Sequence, residues 1–241
     1  MELVKPRLVP PLDGHFRPAV LAHRAFLRAV AASGKAVPLV LGLERGDGAL
    51  SVHRTSVFGP GAPEFAANLP FVERLVKMLL WQRGGCRLLV GGPREIGENL
   101  QAVYGPGRAR AFDAEFMGRV YERPFTVETC GADQVPPARE LAMPLGKHLD
   151  GCRIGFDAGA SDRKVAAVID GRTVFSEEVV WDPRPQANPR YHYHEIMSAL
   201  HRAAAHLPRV DAIGVSSAGI YIHNRVMAAS HFRGVSPDLF E

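Results

Sequence analysis

Apolar residues recur along this chain in two rhythms, and each change of rhythm marks an element. His15 to Ser33 repeats Val20, Leu21, Ala25, Phe26 and Val30 at helical spacing and closes at Gly34. Pro38 to Glu44 is an unbroken apolar run that predicts a buried strand. Gly46-Asp47-Gly48 turns it, and Ala49 to Phe58 returns with alternating character. Glu64 to Arg83 carries Phe65, Leu69, Val72, Leu75, Val76, Leu79 and Leu80, a long helix closed by Gly84-Gly85, with Pro70 either kinking it or marking its first turn. Cys86 to Val90 is a short strand, Pro93 suits the first turn of the next helix, Ala109 to Tyr121 is a further helix, and Pro124 to Cys130 another strand. This order predicts a compact α/β unit. Gly131 to Pro137 reads as a linker, and Glu140 to Leu149 as a bridge to a second unit.

That second set of elements begins at Arg153. A short apolar strand ends on Asp157, and small residues turn it from Ala158 to Ser161. Lys164 to Ile169 returns, Asp170-Gly171 is a hairpin signal, and Thr173 to Trp181 makes a third strand. After a Pro-rich loop, Asp182 to Arg190, the residues from Tyr193 to His206 show a helical inner face. Val210 to Ser217 is then a buried strand, parallel to a neighbour. Ile220 to Met227 forms one more short strand, with His223-Asn224 at a turn or bulge.

The first strand end gathers a carboxylate, small turn residues, a hydroxyl and an ammonium: Asp157, Gly159, Ser161 and Lys164. An acid at a strand end can hold magnesium through its waters, and small turn residues let backbone N–H groups approach phosphate oxygens. Asp157 alone also suits a simple turn cap, the lesser of the two readings once Gly159, Ser161 and Lys164 are set beside it. Ser216, Ser217, Gly219 and Asn224 follow the second buried strand and supply the uncharged donors and acceptors that sugar hydroxyls need. Side by side, the two strand ends would open their turns into one crevice.

The spacing Asp157-x-Gly159-x-Ser161-x-x-Lys164 resembles the first phosphate motif of the superfamily of sugar kinases, heat-shock ATPases and actin. From Arg153 onward the chain is most similar to the ROK family of bacterial sugar kinases and repressors. Val210-Asp211-Ala212-Ile213-Gly214-Val215-Ser216-Ser217-Ala218-Gly219 is similar to that family's "IGV…PG" strand and turn, and Ser230-His231-Phe232-Arg233-Gly234-Val235 to its segment leading to the sugar site. The resemblance covers about the last third of the chain. It departs where the usual Asp-x-Gly-Gly-Thr-Lys has become Asp-Ala-Gly-Ala-Ser-Asp-Arg-Lys, and where no Pro precedes Gly219.

The resemblance implies a ribonuclease H-like lobe of the actin-like ATPase and sugar-kinase type over residues 150–241, preceded by a separate small α/β unit over 1–137. It implies ATP and Mg2+ as cofactors, with the metal at Asp157, and a sugar and a nucleotide as small-molecule partners. The family's catalytic Asn-Asp motif, its Cys/His zinc motif and its adenosine segment have no match before Glu241. The expectation is therefore a partial kinase with little turnover by itself, and no residue is assigned as catalytic. The incomplete cleft leaves room for a homo-oligomer or for a partner chain that completes it. The alternative is a non-catalytic sugar- or nucleotide-binding regulatory protein. The first 130 residues as the working unit is a third reading.

Composition narrows this little. A hydrophobic fraction of 46%, a charged fraction of 22% and a net charge of +4 are ordinary for a globular chain. Lys and Arg are scattered, and no recognition helix is evident, so nucleic acid is disfavoured. No run reaches the length of a membrane span. Cys86, Cys130 and Cys152 are too far apart for a metal site and predict reduced thiols in a cytoplasmic protein. His192, His194, His201 and His206 lack the spacing of a shared metal. Gly91-Gly92-Pro93 at a strand-to-helix turn suits an anion, but close packing explains it more simply. The hairpin at Glu44 faintly resembles the one at Asp157.

Overall fold

The computed structural model describes residues 3–46, 48–140 and 146–239, which fall into two compact units, Met1–Ala142 and Met143–Glu241. Asp47 and much of the expected Glu140–Leu149 bridge lie outside the described residues. Both units are mixed α/β, each built on one four-stranded sheet.

In the first unit, α1 (Ala19–Ala32) precedes the hairpin β1 (Ala36–Glu44) and β2 (Leu50–Phe58); α2 (Asn68–Arg83), β3 (Arg87–Gly91), α3 (Arg94–Val103), α4 (Ala111–Val120) and β4 (Thr126–Cys130) come next. The order is β2-β1-β3-β4, antiparallel except for the β3–β4 pair. Strand alternation divides β1 between two faces. Leu39, Leu41 and Leu43 enter the main core with Phe26 and Val30 of α1, Phe71 and Leu75 of α2, and Ile96 of α3. Val40 enters a smaller cluster with Leu50, Leu89 and Val135.

Val135 lies in the stretch expected to be a linker. The segment is instead packed: Val135 is buried, Gly131 N–H donates to Gln134 Oε1 at 2.7 Å, and Arg139 bridges to Leu50. This packing also accounts for Gly91, where a Cβ would come within 2.6 Å of a Val135 methyl. Pro70 sits in the first turn of α2, where its missing N–H costs no helix bond. Asn68, wholly buried beside it, mimics a strand partner. Its Oδ1 accepts from Phe58 N–H at 3.0 Å and its Nδ2 donates to Phe58 O at 2.8 Å.

The second unit contains β5 (Cys152–Ala158), β6 (Asp162–Ile169), β7 (Arg172–Val180), α5 (Pro189–Ala204) and β8 (Ala212–Ser217) in the order β7-β6-β5-β8. The first three strands are antiparallel, and β8 returns parallel to β5 after the α5 crossover. The hairpin turn at Asp170 and Gly171 has φ of 47° and 80°, as an Asp-Gly turn of this type requires. The crossover helix begins earlier than its apolar pattern suggested, because Asn188 caps it through Arg190 N–H and Pro189 occupies its first turn. Ile220 to Met227 is not one strand. It is a small hairpin, β9 (Ile220–Ile222) and β10 (Arg225–Ala228), turned at His223 and Asn224 with φ of 50° and 64°.

Ile154, Phe156 and Ala158 of β5 and Val165 and Ala167 of β6 form one core with Ala199 and Ala203 of α5. Arg163 is buried on that face and bonds Glu195 of α5 at 2.8 Å. Among the described residues no helix is long and apolar enough to cross a membrane.

Candidate functional site

Because α5 covers only one face of the second sheet, alternate residues of its strands point to the other. The register sets Asp157 of β5 opposite Lys164 of β6 on one side and Ser216 of β8 on the other. One step back along the same face come Gly155, Ala166 and Gly214, with Ser176 and Glu178 continuing it on β7. These residues line an open groove of about 680 Å³. No atom lies within 4 Å of where a Cβ would stand on Gly155 or Gly214, so the floor is bare backbone.

The β5–β6 turn at the end of this groove is tight and braced. A Cβ on Gly159 would meet Asp162 O at 2.4 Å, so the close approach needs glycine there. Trp181, buried just beyond β7, donates from Nε1 to Gly159 O at 2.9 Å, and its backbone N–H donates to Ser161 O at 3.2 Å. Ser161 Oγ turns to Asp162 at 3.3 Å. Lys164 is bonded by Asp162 and lies 3.6 Å from Glu178. That contact holds the Asp162 carboxyl below its ordinary range and pushes the Lys164 ammonium up.

Two carboxylates, Asp157 and Glu178, therefore line the groove against one ammonium, Lys164. Glu177 alternates to the α5 face, where Arg202 holds it at 2.7 Å. A bare anion meets net negative charge in such a lining, and a magnesium ion between the phosphate and Asp157 would offset part of that repulsion. Among the described residues no group of three or more His, Cys, Asp and Glu could hold a metal. A metal at Asp157 would keep most of its waters, as Mg2+ commonly does.

The four residues expected near a sugar part company. Ser216 shares the groove face with Asp157. Ser217, one residue on and paired with Ala158, points to the opposite face. There its Oγ lies 2.7 Å from Tyr221 Oη and 3.3 Å from His231 Nε2. Gly219 has φ of 141° and leaves no room for a side chain beside Ala228 O, while Asn224 makes the β9–β10 turn. His231 is buried, and burial followed by the nearby His192 lowers its pKa. His192, also buried, contacts Pro183 O at 3.0 Å and His231 O at 2.8 Å through Nε2, which gives it a structural place.

Asp162, Trp181, Ser176 and Glu178 do not stand out as site residues in the sequence. Strand alternation carries the signal for the last two, since they sit across from Ala166 and Lys164. Trp181 gives no such signal, because its bond to Gly159 spans 22 positions.

No protein-family model matches the chain, and no curated protein matches it. Among solved structures, an exopolyphosphatase from Cytophaga hutchinsonii ATCC 33406 is similar at 11% identity, over 75% of this chain and 63% of that chain, with a TM-score of 0.22. The chain thus spans less than two thirds of that protein's length, and at this TM-score the likeness bears on neither fold nor function.

Proposed function

We propose that the second unit is the phosphate-binding part of a ROK-like, ATP-dependent sugar-kinase module, a ribonuclease H-like lobe that takes a Mg2+-nucleotide in the groove beside Asp157. The reading is supported above all by one register relation: Asp157, Lys164 and Ser216 stand in a row on an uncovered face floored by glycine. Asp157 orients the waters of the metal, Ser216 offers a hydroxyl to the ligand, and the braced Gly159–Ser161 turn brings backbone close to phosphate oxygens. Three antiparallel strands, a crossover helix and a fourth, parallel strand are also how such a lobe begins. Phosphoryl transfer depends on positioning and charge neutralisation, and this face supplies only part of both. Turnover by the chain alone is accordingly negligible.

Isothermal titration of the full chain with ATP, with and without Mg2+, tests this. Binding that requires Mg2+ and disappears in Asp157→Ala is expected; magnesium-independent binding, or binding that survives Asp157→Ala, refutes the reading. A coupled assay across common hexoses with robust turnover refutes the partial-kinase element. The second reading, a regulatory protein that binds a sugar without chemistry, is favoured by Lys164, whose ammonium is already engaged by Asp162. Hexose binding in the absence of any nucleotide binding would select it.

A further inference from the structure

The far side of β8 is unlike the rest of its sheet. Ile213 and Val215 share a face with Ile154 and Phe156, which are 2% and 3% exposed, yet they are themselves 48% and 66% exposed. Among the described residues no strand pairs with the outer edge of β8. Ala212–Ser217 contains no charge and no proline, and its ladder to β5 runs without a bulge. Edge strands that stay solitary normally carry one of those devices. Uncovered valine and isoleucine beside unpaired backbone groups mark a strand that accepts another strand.

We infer that the occupant is β8 of a second copy of this chain, paired antiparallel about a two-fold axis at Gly214. The strand is complementary to itself in that register. Ile213 lies opposite Val215 of the second copy and Val215 opposite its Ile213, so four apolar side chains meet on one face. On the groove face, Gly214 meets Gly214, and Ala212 meets Ser216. Neither pairing places a charge or a bulky group in the way, because space is open above Gly214. The two sheets become one of eight strands, and the glycine floor of each groove continues into that of its neighbour. The second copy's Ala212 and Gly214 thereby extend the groove floor past an edge that is otherwise open. A one-residue slip would set apolar side chains of one copy against the groove face of the other, and a two-residue slip, which keeps the faces, would set Ile213 opposite Ser217 or Val215 opposite Asp211. The inference stands on the β8 edge alone and does not depend on what the groove binds.

Light scattering coupled to size exclusion on the full chain, over a range of concentrations, is expected to show a monomer–dimer equilibrium. Val215→Lys should raise its dissociation constant by more than about ten-fold, with circular dichroism confirming that the variant remains folded. Register is read by Gly214→Cys, which sets two thiols directly opposite each other. Mild oxidation should give a covalent dimer in Gly214→Cys. It should give none in the parent chain carrying Cys130→Ser, the background for every cysteine variant because Cys130 is only half-buried, while Cys86 and Cys152 are buried. None is expected from Val210→Cys either, since the same register sets position 210 opposite 218. A chain that stays monomeric at every concentration overturns the proposal. So does a dimer that persists in Val215→Lys or fails to cross-link through position 214.

Discussion

Ser216 and Ser217 are neighbours in the chain but occupy opposite faces of the second sheet. Ser216 lies beside Asp157 on the open groove, and Ser217 is drawn under the β9–β10 hairpin by Tyr221 and His231. The pair therefore makes an internal control. For a ligand that occupies the groove, Ser216→Ala should weaken binding about three- to ten-fold, the worth of one hydrogen bond. Ser217→Ala should leave the affinity unchanged. Titration of both variants with Mg2+-ATP distinguishes them, and equal losses would remove the ligand from the groove face.

Asp162 competes with any anion for Lys164. Asp162→Asn keeps the turn's shape and frees the ammonium, so a phosphate-bearing ligand should bind a few-fold more tightly than in the parent chain. The contact is exposed to water, and the gain should shrink as salt is added. Its folded-state carboxyl is held below the ordinary range, so its stabilisation is present above that range and lost on acidification through the folded value. Affinity measured at two ionic strengths checks the sign.

His231 should make the second unit sensitive to mild acid. Its folded pKa is depressed, so the unfolded chain binds the proton first. Stability then declines as pH falls through the ordinary histidine value of about 6.5 and levels off below the folded one. The groups around its ring are the Ser217 and Tyr221 hydroxyls and His192, none of which is a carboxylate that could stabilise the imidazolium. Thermal melts of the parent and His231→Phe from about pH 8 to about pH 5 should show a shallower acid decline in the variant. Parallel curves would contradict this account.

Asn68 offers a stability test confined to the first unit. Asn68→Ala strands both backbone groups of Phe58 in a buried site and opens a small void. A loss of about 2–4 kcal/mol in denaturant unfolding is expected. Asn68→Asp, which keeps the acceptor but loses the donor and buries a charge, should be no better tolerated.

Much of the architecture is visible in the residue pattern. Helical repeats from Val72 to Leu80, the unbroken apolar run of β1 and the Asp170-Gly171 turn each mark their element locally, because period and turn chemistry act over a few residues. The features that the pattern hides depend on contacts between distant positions. Val135 gives no periodic signal within a Gly/Pro-rich stretch, yet it fills the space that Gly91 leaves. The start of α5 is hidden because its caps, Asn188 and Pro189, look like loop residues when read alone. The groove face is half visible: Asp157, Lys164 and Ser216 stand together, whereas the strand parity that removes Ser217 becomes evident only once β5 and β8 are aligned.

Of the chain's two tryptophans, Trp181 alone belongs to the second unit, and its indole N–H is bonded to the carbonyl of Gly159. Any ligand that shifts this turn must lengthen, bend or break that bond. The protein thus carries its own optical gauge at the mouth of the groove. A change in Trp181 emission, read against a Trp81→Phe background, would report occupancy without a label.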